Sequence, residues 1–206
     1  MQKLKITYKK SGTAVYIGHL ELAQVFERAL RRTSLPIKYS EGFNPRMRLS
    51  WGPPLPLGVI GLAEEMLIEM DGWVNPARVR QELPDKFPEG IEILKVEIGN
   101  PRADSLDSSA QASEYTLELS ESDAAKLATE LPAILQQATL LIDKKSKAGI
   151  KKTNIRPMIF SAEIAGGNLK AVLQTSNHGT LRPRELCEIL KISPLKIVRE
   201  KVLSRN

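Results

Sequence analysis

The spacing of apolar residues changes several times within residues 3–51, and each spacing predicts a different element. Residues 3–17 alternate apolar and polar positions, which predicts a strand that can kink at Gly12. Residues 19–33 carry apolar side chains three and four positions apart, which predicts a helix with one buried stripe. Residues 37–51 read as extended but are interrupted at residues 42–45. The chain is therefore expected to begin with a strand, a helix and a broken extended segment.

The next segment completes an alternation of strands and helices. Three prolines within residues 52–58 remove backbone donors and exclude regular structure there. A strand follows at residues 63–70. Asn75 is placed as the N-cap of a helix that has Pro76 in its first turn and runs to about residue 86. Residues 91–98 alternate again and predict a strand. The resulting order, β-α-β-β-α-β, is that of a ferredoxin-like sandwich.

The second half repeats this order with one extra strand. Gly166-Gly167-Asn168 separates two alternating segments and predicts the turn of a hairpin, and residues 144–152 predict a polar loop. The other predicted elements are a strand at 114–119, a helix at 120–137 kinked or divided at Pro132, a strand at 139–143, hairpin strands at 156–164 and 169–175, a helix at 182–190 and a strand at 195–202.

The two halves together predict an α+β protein made of tandem ferredoxin-like lobes. The N-terminal lobe covers residues 1–98 and the C-terminal lobe covers residues 113–206. Residues 99–112 contain a proline and several serines without periodicity, and are expected to form a linker. The alternative, one continuous α+β sheet, stays open at this point.

Composition narrows the class of protein. No apolar run in the 206 residues approaches the roughly 18 needed to span a bilayer. The N-terminus lacks the apolar core of a signal peptide, so secretion is not expected. A single cysteine, Cys187, excludes an internal disulfide and suits a reducing cytosol. We therefore expect a cytoplasmic protein without a membrane segment.

The chain lacks the residues that several kinds of metal, cofactor and catalytic site require. One cysteine cannot hold an iron–sulfur cluster, and His19 and His178 lie in different halves, so a zinc site would need carboxylates throughout. The chain has no phosphate-binding loop, no dinucleotide fingerprint and no nucleophile elbow. We expect no metal and no cofactor, and a non-catalytic subunit is favoured over an enzyme.

Positive charge concentrates in two segments of a chain whose net charge is +6 and whose pI is near 9.4. Such a balance favours an anionic partner. The first segment surrounds Phe43, is flanked by Tyr39 and Trp51, and contains the candidate nucleic-acid-binding residues Arg28, Arg31, Arg32, Lys38, Arg46 and Arg48. Aromatic rings among arginines can stack on unpaired bases while the cations hold phosphates. The alternative is that Phe43 and Trp51 are core residues beside a solvated basic face.

The second basic segment lies in the predicted polar loop. No acidic residue interrupts it, and its candidate nucleic-acid-binding residues are Lys144, Lys145, Lys147, Lys151, Lys152 and Arg156. Gly149 within it favours a mobile loop, and several cations on a flexible tether can follow a phosphate backbone. A solvated loop without a ligand is the alternative.

His19 is the single candidate catalytic residue. It stands between the first predicted strand and the first predicted helix, where a histidine can reach a groove. Because the pKa of histidine is near neutrality, His19 could serve as acid or base in metal-free RNA cleavage. The favoured interpretation is structural, with His19 capping the helix or packing against Tyr16.

The most distinctive stretch of the chain runs from Tyr16 to Val59. Its motifs are IGHLEL at 17–22, FERALRR at 26–32, YSEGFNP at 39–45 and PLPLGV at 54–59, and a later one is KKTNIRP at 151–157. These motifs resemble the radical-SAM-associated family of uncharacterised bacterial proteins, and the resemblance extends over nearly the whole chain. Arg46 stands where that family often has histidine, and Asn154 where it has an acidic residue.

The resemblance implies a partner rather than a reaction. Members of that family occur fused to, or encoded beside, a cobalamin-binding radical SAM protein, which would supply cluster and cofactor. We therefore expect an RNA-binding accessory protein that presents or recognises the substrate of a radical SAM partner. The alternatives are a metal-independent endoribonuclease that uses His19 and a protein–protein adaptor without RNA.

Overall fold

The chain divides into two compact units. The computed structural model describes residues 2–100, 105–146, 149–176 and 179–204. The N-terminal unit runs to Ala110 and includes Ser204, and the C-terminal unit is Gln111–Leu203. The division falls within residues 99–112, for which the sequence predicts a linker; residues 101–104 of that segment lie outside the described ranges.

The N-terminal unit combines four strands with three helices and two 3-10 turns among its described residues. They are β1 (Gln2–Lys10), a 3-10 turn (Gly12–Tyr16), α1 (His19–Arg31), β2 (Leu49–Trp51), β3 (Ile60–Met70), α2 (Pro76–Glu82), a 3-10 turn (Pro84–Lys86), β4 (Ile91–Ile98) and α3 (Leu106–Ser109). β1 pairs antiparallel with β3 and with β4, and β2 pairs antiparallel with β3. The strand order is therefore β2-β3-β1-β4.

One side of β1 and one stripe of α1 form the core of this unit. Alternate β1 residues, including Ile6 and Tyr8, are buried, as a strand with one covered side requires. Phe26 and Leu30 of α1 are fully buried against them, at the four-residue spacing of a helical stripe. The Tyr8 and Phe26 rings lie with centroids 4.9 Å apart, so the strand and the helix are joined through aromatic packing.

The sequence predicts the start of α2 correctly and the end of β1 wrongly. Asn75 caps α2 as expected, since its Oδ1 accepts a hydrogen bond of 3.0 Å from the Ala77 N–H, and Pro76 opens the first turn. The predicted strand at residues 3–17 is wrong beyond Lys10, where a 3-10 turn follows. The backbone turns there because Gly12 adopts a φ of +56°, a left-handed conformation that glycine tolerates.

The C-terminal unit is also α+β. Its elements are β5 (Ala110–Glu118), α4 (Glu121–Gln136), β6 (Leu141–Ser146), β7 (Gly149–Asn154), a 3-10 turn (Arg156–Met158), β8 (Ile159–Ala165), β9 (Asn168–Ser176), β10 (Gly179–Thr180), α5 (Pro183–Leu190) and β11 (Lys196–Ser204). β9 pairs antiparallel with β5, β8 and β10, and β11 lies next to β5. The order of the four long strands is thus β8-β9-β5-β11.

Two predicted segments of this unit had opposite outcomes. The hairpin is confirmed: β8 and β9 meet at Gly166-Gly167, whose φ angles of +59° and +77° suit a tight two-residue turn. The polar loop at residues 144–152 is wrong, because most of that segment forms the antiparallel pair β6–β7. The mixed α+β class with mostly antiparallel pairing is confirmed.

Candidate nucleic-acid interface

A groove beside α1 brings several cationic side chains of the N-terminal unit together. It has a volume of about 550 Å³ and lies between the C-terminal half of α1 and residues 85–88. Three predicted residues line it, Arg28, Arg31 and Arg32, together with Lys86, which the sequence did not single out. The other lining residues are Val25, Asp85, Phe87 and Pro88. We call this feature the α1 groove.

The groove follows from the amphipathic pattern of α1. Because Phe26 and Leu30 face the core, Arg28, Arg31 and Arg32 fall on the solvent side of the helix, where all three are exposed. The opposite wall is held by Phe87, whose ring centroid lies 4.5 Å from that of Phe26. This aromatic contact fixes residues 85–88 beside the helix.

The groove cations have few partners of their own. The Arg32 guanidinium donates from Nη2 to the Lys86 carbonyl, which joins the two walls. Arg31 lies 3.9 Å from Glu27, at the outer limit of an ion pair. Arg28 makes no hydrogen bond or ion pair with a described residue. Their position at the end of α1 complements the helix dipole, which accounts for part of their placement.

The second part of the first basic segment is a hairpin-like ribbon at residues 38–48. The Arg48 N–H donates to the Lys38 carbonyl at 2.9 Å, and the Ser40 N–H donates to the Arg46 carbonyl at 2.8 Å. Phe43 stands at the tip and is fully exposed, at 107% of its reference area. We call this element the Phe43 ribbon.

The ribbon has one cationic side. Tyr39 and Met47 bridge each other, and Met47 is buried. Since neighbouring residues of an extended ribbon point to opposite sides, Lys38, Arg46 and Arg48 lie on the side away from Met47. Phe43 is therefore no core residue, and it stands next to a cationic surface.

Trp51 has a different role from Phe43. It is half-buried, and its ring lies 5.0 Å from Phe26 and 6.5 Å from Tyr8, both edge-on. These contacts make Trp51 part of the core of the N-terminal unit. Of the two aromatics that the sequence left undecided, one is packed and the other is free.

The side of β1 opposite the helices carries as many cations, and each of them lies near a carboxylate-bearing residue. Lys5 lies 2.9 Å from Glu65 and Lys95 lies 2.8 Å from Glu97, where hydrogen bonding from Lys95 lowers the pKa of Glu97. The strand register also sets Lys3 opposite Glu69 and Lys9 opposite Glu92. We call this surface the outer β1 face. Each of its lysines has a neighbouring carboxylate, so it presents little net charge.

In the C-terminal unit, two of the predicted cations are used internally. Lys144 donates to the Thr180 carbonyl at 2.6 Å and lies 3.3 Å from Glu185. Arg156 donates from Nε to the Leu135 carbonyl at 2.7 Å and from Nη1 to the Ile159 carbonyl at 3.1 Å. These contacts anchor the β6–β7 pair and the end of α4.

The other predicted cations of this segment lie on the β6–β7 pair. Lys151 and Lys152 are exposed, and Lys152 faces Asp143 across the pair. Lys145 pairs through its backbone with Ile150, and Lys147 lies outside the described residues. The described part of this surface therefore offers fewer unopposed cations than the α1 groove.

His19 is the first residue of α1 and packs on the core. Its ring centroid lies 6.0 Å from that of Trp51, whereas Tyr16, the expected neighbour, is exposed. The N-cap is Gly18, not His19. Burial lowers the pKa of His19; Asp107 opposes this effect, and Lys10 adds to it. The lowered pKa favours the neutral imidazole, and the ring is only half-buried.

The described residues contain no grouping suited to a resident metal. Within the described ranges, no three or more histidine, cysteine, aspartate or glutamate side chains come together as ligands. Burial raises the pKa of Cys187 to about 11, which keeps that thiol protonated. Among the same residues, no helix combines the length and apolar character needed to cross a bilayer.

Comparison with protein families places the chain among bacterial proteins. The family model described as "uncharacterized protein conserved in bacteria" (DUF2344) matches residues 3–183. The chain belongs to this family. The matched residues include the α1 groove, the Phe43 ribbon and the β6–β7 pair, and the family description names no activity. A search of curated proteins finds no match.

Sequence reasoning missed one wall of the groove. Asp85, Lys86 and Phe87 follow α2 in a short segment between Pro84 and Pro88. The sequence predicts that the α2 helix runs to about residue 86, which is wrong because α2 ends at Glu82. No local pattern showed that the segment after it would lie against α1. The Arg32–Lys86 hydrogen bond joins residues 54 positions apart.

Proposed function

We propose that this protein is a non-catalytic RNA-binding accessory protein whose N-terminal unit contacts RNA through the α1 groove and the Phe43 ribbon. The observation that carries the proposal is the excess of positive charge in the groove. Among the described residues, four cationic side chains line the groove together with one carboxylate, that of Asp85; the cations are Arg28, Arg31, Arg32 and Lys86. Arginine and lysine in such a setting favour phosphate groups as ligands.

The Phe43 ribbon favours RNA over other anionic partners. An acidic protein surface needs cations alone, whereas a single-stranded nucleic acid also offers flat bases for stacking. Phe43 is fully exposed at the tip of the ribbon whose cationic side carries Arg46 and Arg48. An apolar ring in water beside cations is the arrangement that an unpaired base with its phosphate can use.

We further propose that both units are ferredoxin-like. The order β2-β3-β1-β4 in one unit and β8-β9-β5-β11 in the other have the same pattern. Along the chain, a helix follows the first strand of each unit, β1 or β5, and another helix precedes the last strand, β4 or β11. This is the order β-α-β-β-α-β. The β6–β7 pair is then an insertion after the first helix of the C-terminal unit.

The proposed partner is a radical SAM protein. Its support is the resemblance carried by residues 17–22, 26–32 and 39–45, which implies such a partner. In this scheme the protein holds an RNA or ribonucleoprotein while the partner performs the reaction. Co-purification from the native cell tests the pairing. A complex that survives nuclease and contains no RNA would instead support a protein–protein adaptor.

RNA binding is tested by filter-binding titrations of RNA fragments at two salt concentrations. We expect binding that weakens as salt rises, because phosphate contacts release counterions. Arg28→Ala should weaken binding, whereas Lys95→Ala, which removes one equally charged residue from the outer β1 face, should not. Absence of binding at low salt, or indifference to salt, would refute the proposal.

His19 carries a second candidate function, metal-independent RNA cleavage. The observation in its favour is a half-buried imidazole whose lowered pKa favours the neutral form, which can accept a proton. This function predicts cleavage in EDTA that His19→Ala abolishes while RNA binding persists. Cleavage that continues unchanged in His19→Ala would exclude it.

A further inference from the structure

The α1 groove carries more positive charge than an internal phosphate of RNA requires. A phosphodiester bears one negative charge, whereas a phosphomonoester bears about −1.5 to −2 at pH 7. Among the described residues, four cations line the groove together with one carboxylate, that of Asp85, and this excess of positive charge suits the higher charge. Glu27, at 3.9 Å from Arg31, offsets only a small part of the excess.

A hydrogen bond also joins the two walls that carry the groove cations. Arg32 is held by its bond to the Lys86 carbonyl, which places one guanidinium and the Lys86 residue on facing walls. Arg28 has no described partner and can turn toward a ligand in the same groove. Arginine forks bind phosphate oxygens in pairs, and lysine adds a point charge.

The remaining lining suits the rest of a nucleotide. Phe87 and Pro88 give an apolar wall, and the Phe26 contact holds the Phe87 ring in place. Asp85 is an exposed acceptor that a ribose hydroxyl or a base amino group can bind. The volume of about 550 Å³ lies in the range of small-ligand pockets, roughly 300–1,000 Å³.

We propose that the α1 groove binds the phosphomonoester of a nucleotide, with the base or ribose against Phe87 and Pro88. The nucleotide is the terminal residue of an RNA or a free mononucleotide, since both present the same chemistry. The RNA form rests on the RNA-binding function proposed above and makes the protein a reader of phosphorylated RNA ends.

The test compares one short single-stranded RNA in three forms, with a 5′-phosphate, with a 3′-phosphate and with hydroxyls at both ends. Fluorescence anisotropy measures each affinity, and AMP is added as competitor. We expect a phosphorylated form to bind about tenfold more tightly than the hydroxyl form, because one added charge-assisted contact contributes that much. AMP should compete with it.

Matched variants locate the effect. Arg28→Ala and Lys86→Ala should each abolish the preference for the phosphorylated end, whereas Lys95→Ala should retain it. Melting temperatures of the variants show that they fold. A preference that survives in both groove variants would overturn the assignment to this groove.

The outcomes separate this inference from the function on which it rests. RNA binding without a preference for a terminal phosphate overturns the inference and leaves the proposed function standing. Binding of AMP without binding of RNA overturns the proposed function and retains the groove as a nucleotide site. Absence of binding to both overturns the two proposals together.

Discussion

The α1 groove and the outer β1 face are both rich in cations, and they differ in what those cations meet. On the outer β1 face, Lys5 and Lys95 each lie within 3 Å of a carboxylate. In the groove, Arg28 has no described partner and Arg31 has only a distant one. The difference shows that the number of lysines and arginines says little about anion binding until their neighbours are known.

The largest expected effect tests directly whether the cations of the α1 groove bind RNA and those of the outer β1 face do not. Replacing Arg28 and Arg32 together by alanine should weaken RNA binding by about a hundredfold, since each charged hydrogen bond contributes about 1.5 kcal/mol or more. The slope of log affinity against log salt should fall by about two. The matched control replaces Lys5 and Lys95 on the outer β1 face and should bind as the wild type. Equal losses in both variants would remove the distinction between the two surfaces.

The second effect contrasts the exposed and the packed aromatic residue. Phe43→Ala should cost about 2 kcal/mol of affinity for single-stranded RNA, through lost base stacking, and leave the melting temperature unchanged. Trp51→Ala should do the reverse and lower the free energy of unfolding by about 3 kcal/mol, because Trp51 packs on Tyr8 and Phe26. RNA titrations and urea unfolding measure the two. A Phe43→Ala variant with unchanged affinity would exclude stacking.

The third effect extends the comparison to the C-terminal unit. Arg156→Ala should lower the free energy of unfolding by about 1.5 kcal/mol, because the Leu135 and Ile159 carbonyls lose a charged donor. Lys151→Ala removes the same charge from an exposed position and should leave stability unchanged. Urea unfolding of both variants distinguishes a structural cation from a surface one. Equal stabilities would contradict the anchoring role of Arg156.

A smaller effect concerns Glu27, whose carboxylate lies beside Arg31 of the α1 groove. Glu27→Gln removes the carboxylate 3.9 Å from Arg31 and should strengthen RNA binding about twofold, the scale of an exposed pair of this spacing. Glu65→Gln, on the outer β1 face, is the matched control. Binding that weakens in Glu27→Gln would mean that the glutamate orients Arg31 instead of competing for it.

The smallest effect concerns pH. Because the pKa of His19 is lowered in the folded protein, the unfolded chain takes up a proton first as pH falls. His19 therefore contributes stability that is present above about pH 6.5 and is lost as pH falls below it toward the folded pKa. The melting temperature should fall less in His19→Gln than in the wild type between pH 7 and 5. Parallel curves would show that the pKa of His19 is the same in the folded and the unfolded state.

Local patterns explain why some elements were predicted from sequence. The cap at Asn75, the turn at Gly166-Gly167 and the apolar stripe of α1 depend on residues within a few positions of each other. The prediction of a loop at residues 144–152 was wrong because the segment carries no such local pattern. A two-stranded pair exposes much of its surface, so its lysine-rich sequence lacks the apolar alternation that identifies a half-buried strand.

The sequence by itself determined which residues carry the positive charge, which side of α1 they occupy and that the fold is α+β. Only the tertiary structure decided which of those cations are free. It brought Lys86 to Arg32 across 54 positions, gave carboxylates to the lysines of the outer β1 face and tied Arg156 to two carbonyls. The reason is that the charge of a residue is a property of its type, whereas its pairing depends on contacts between distant segments that a local pattern does not contain.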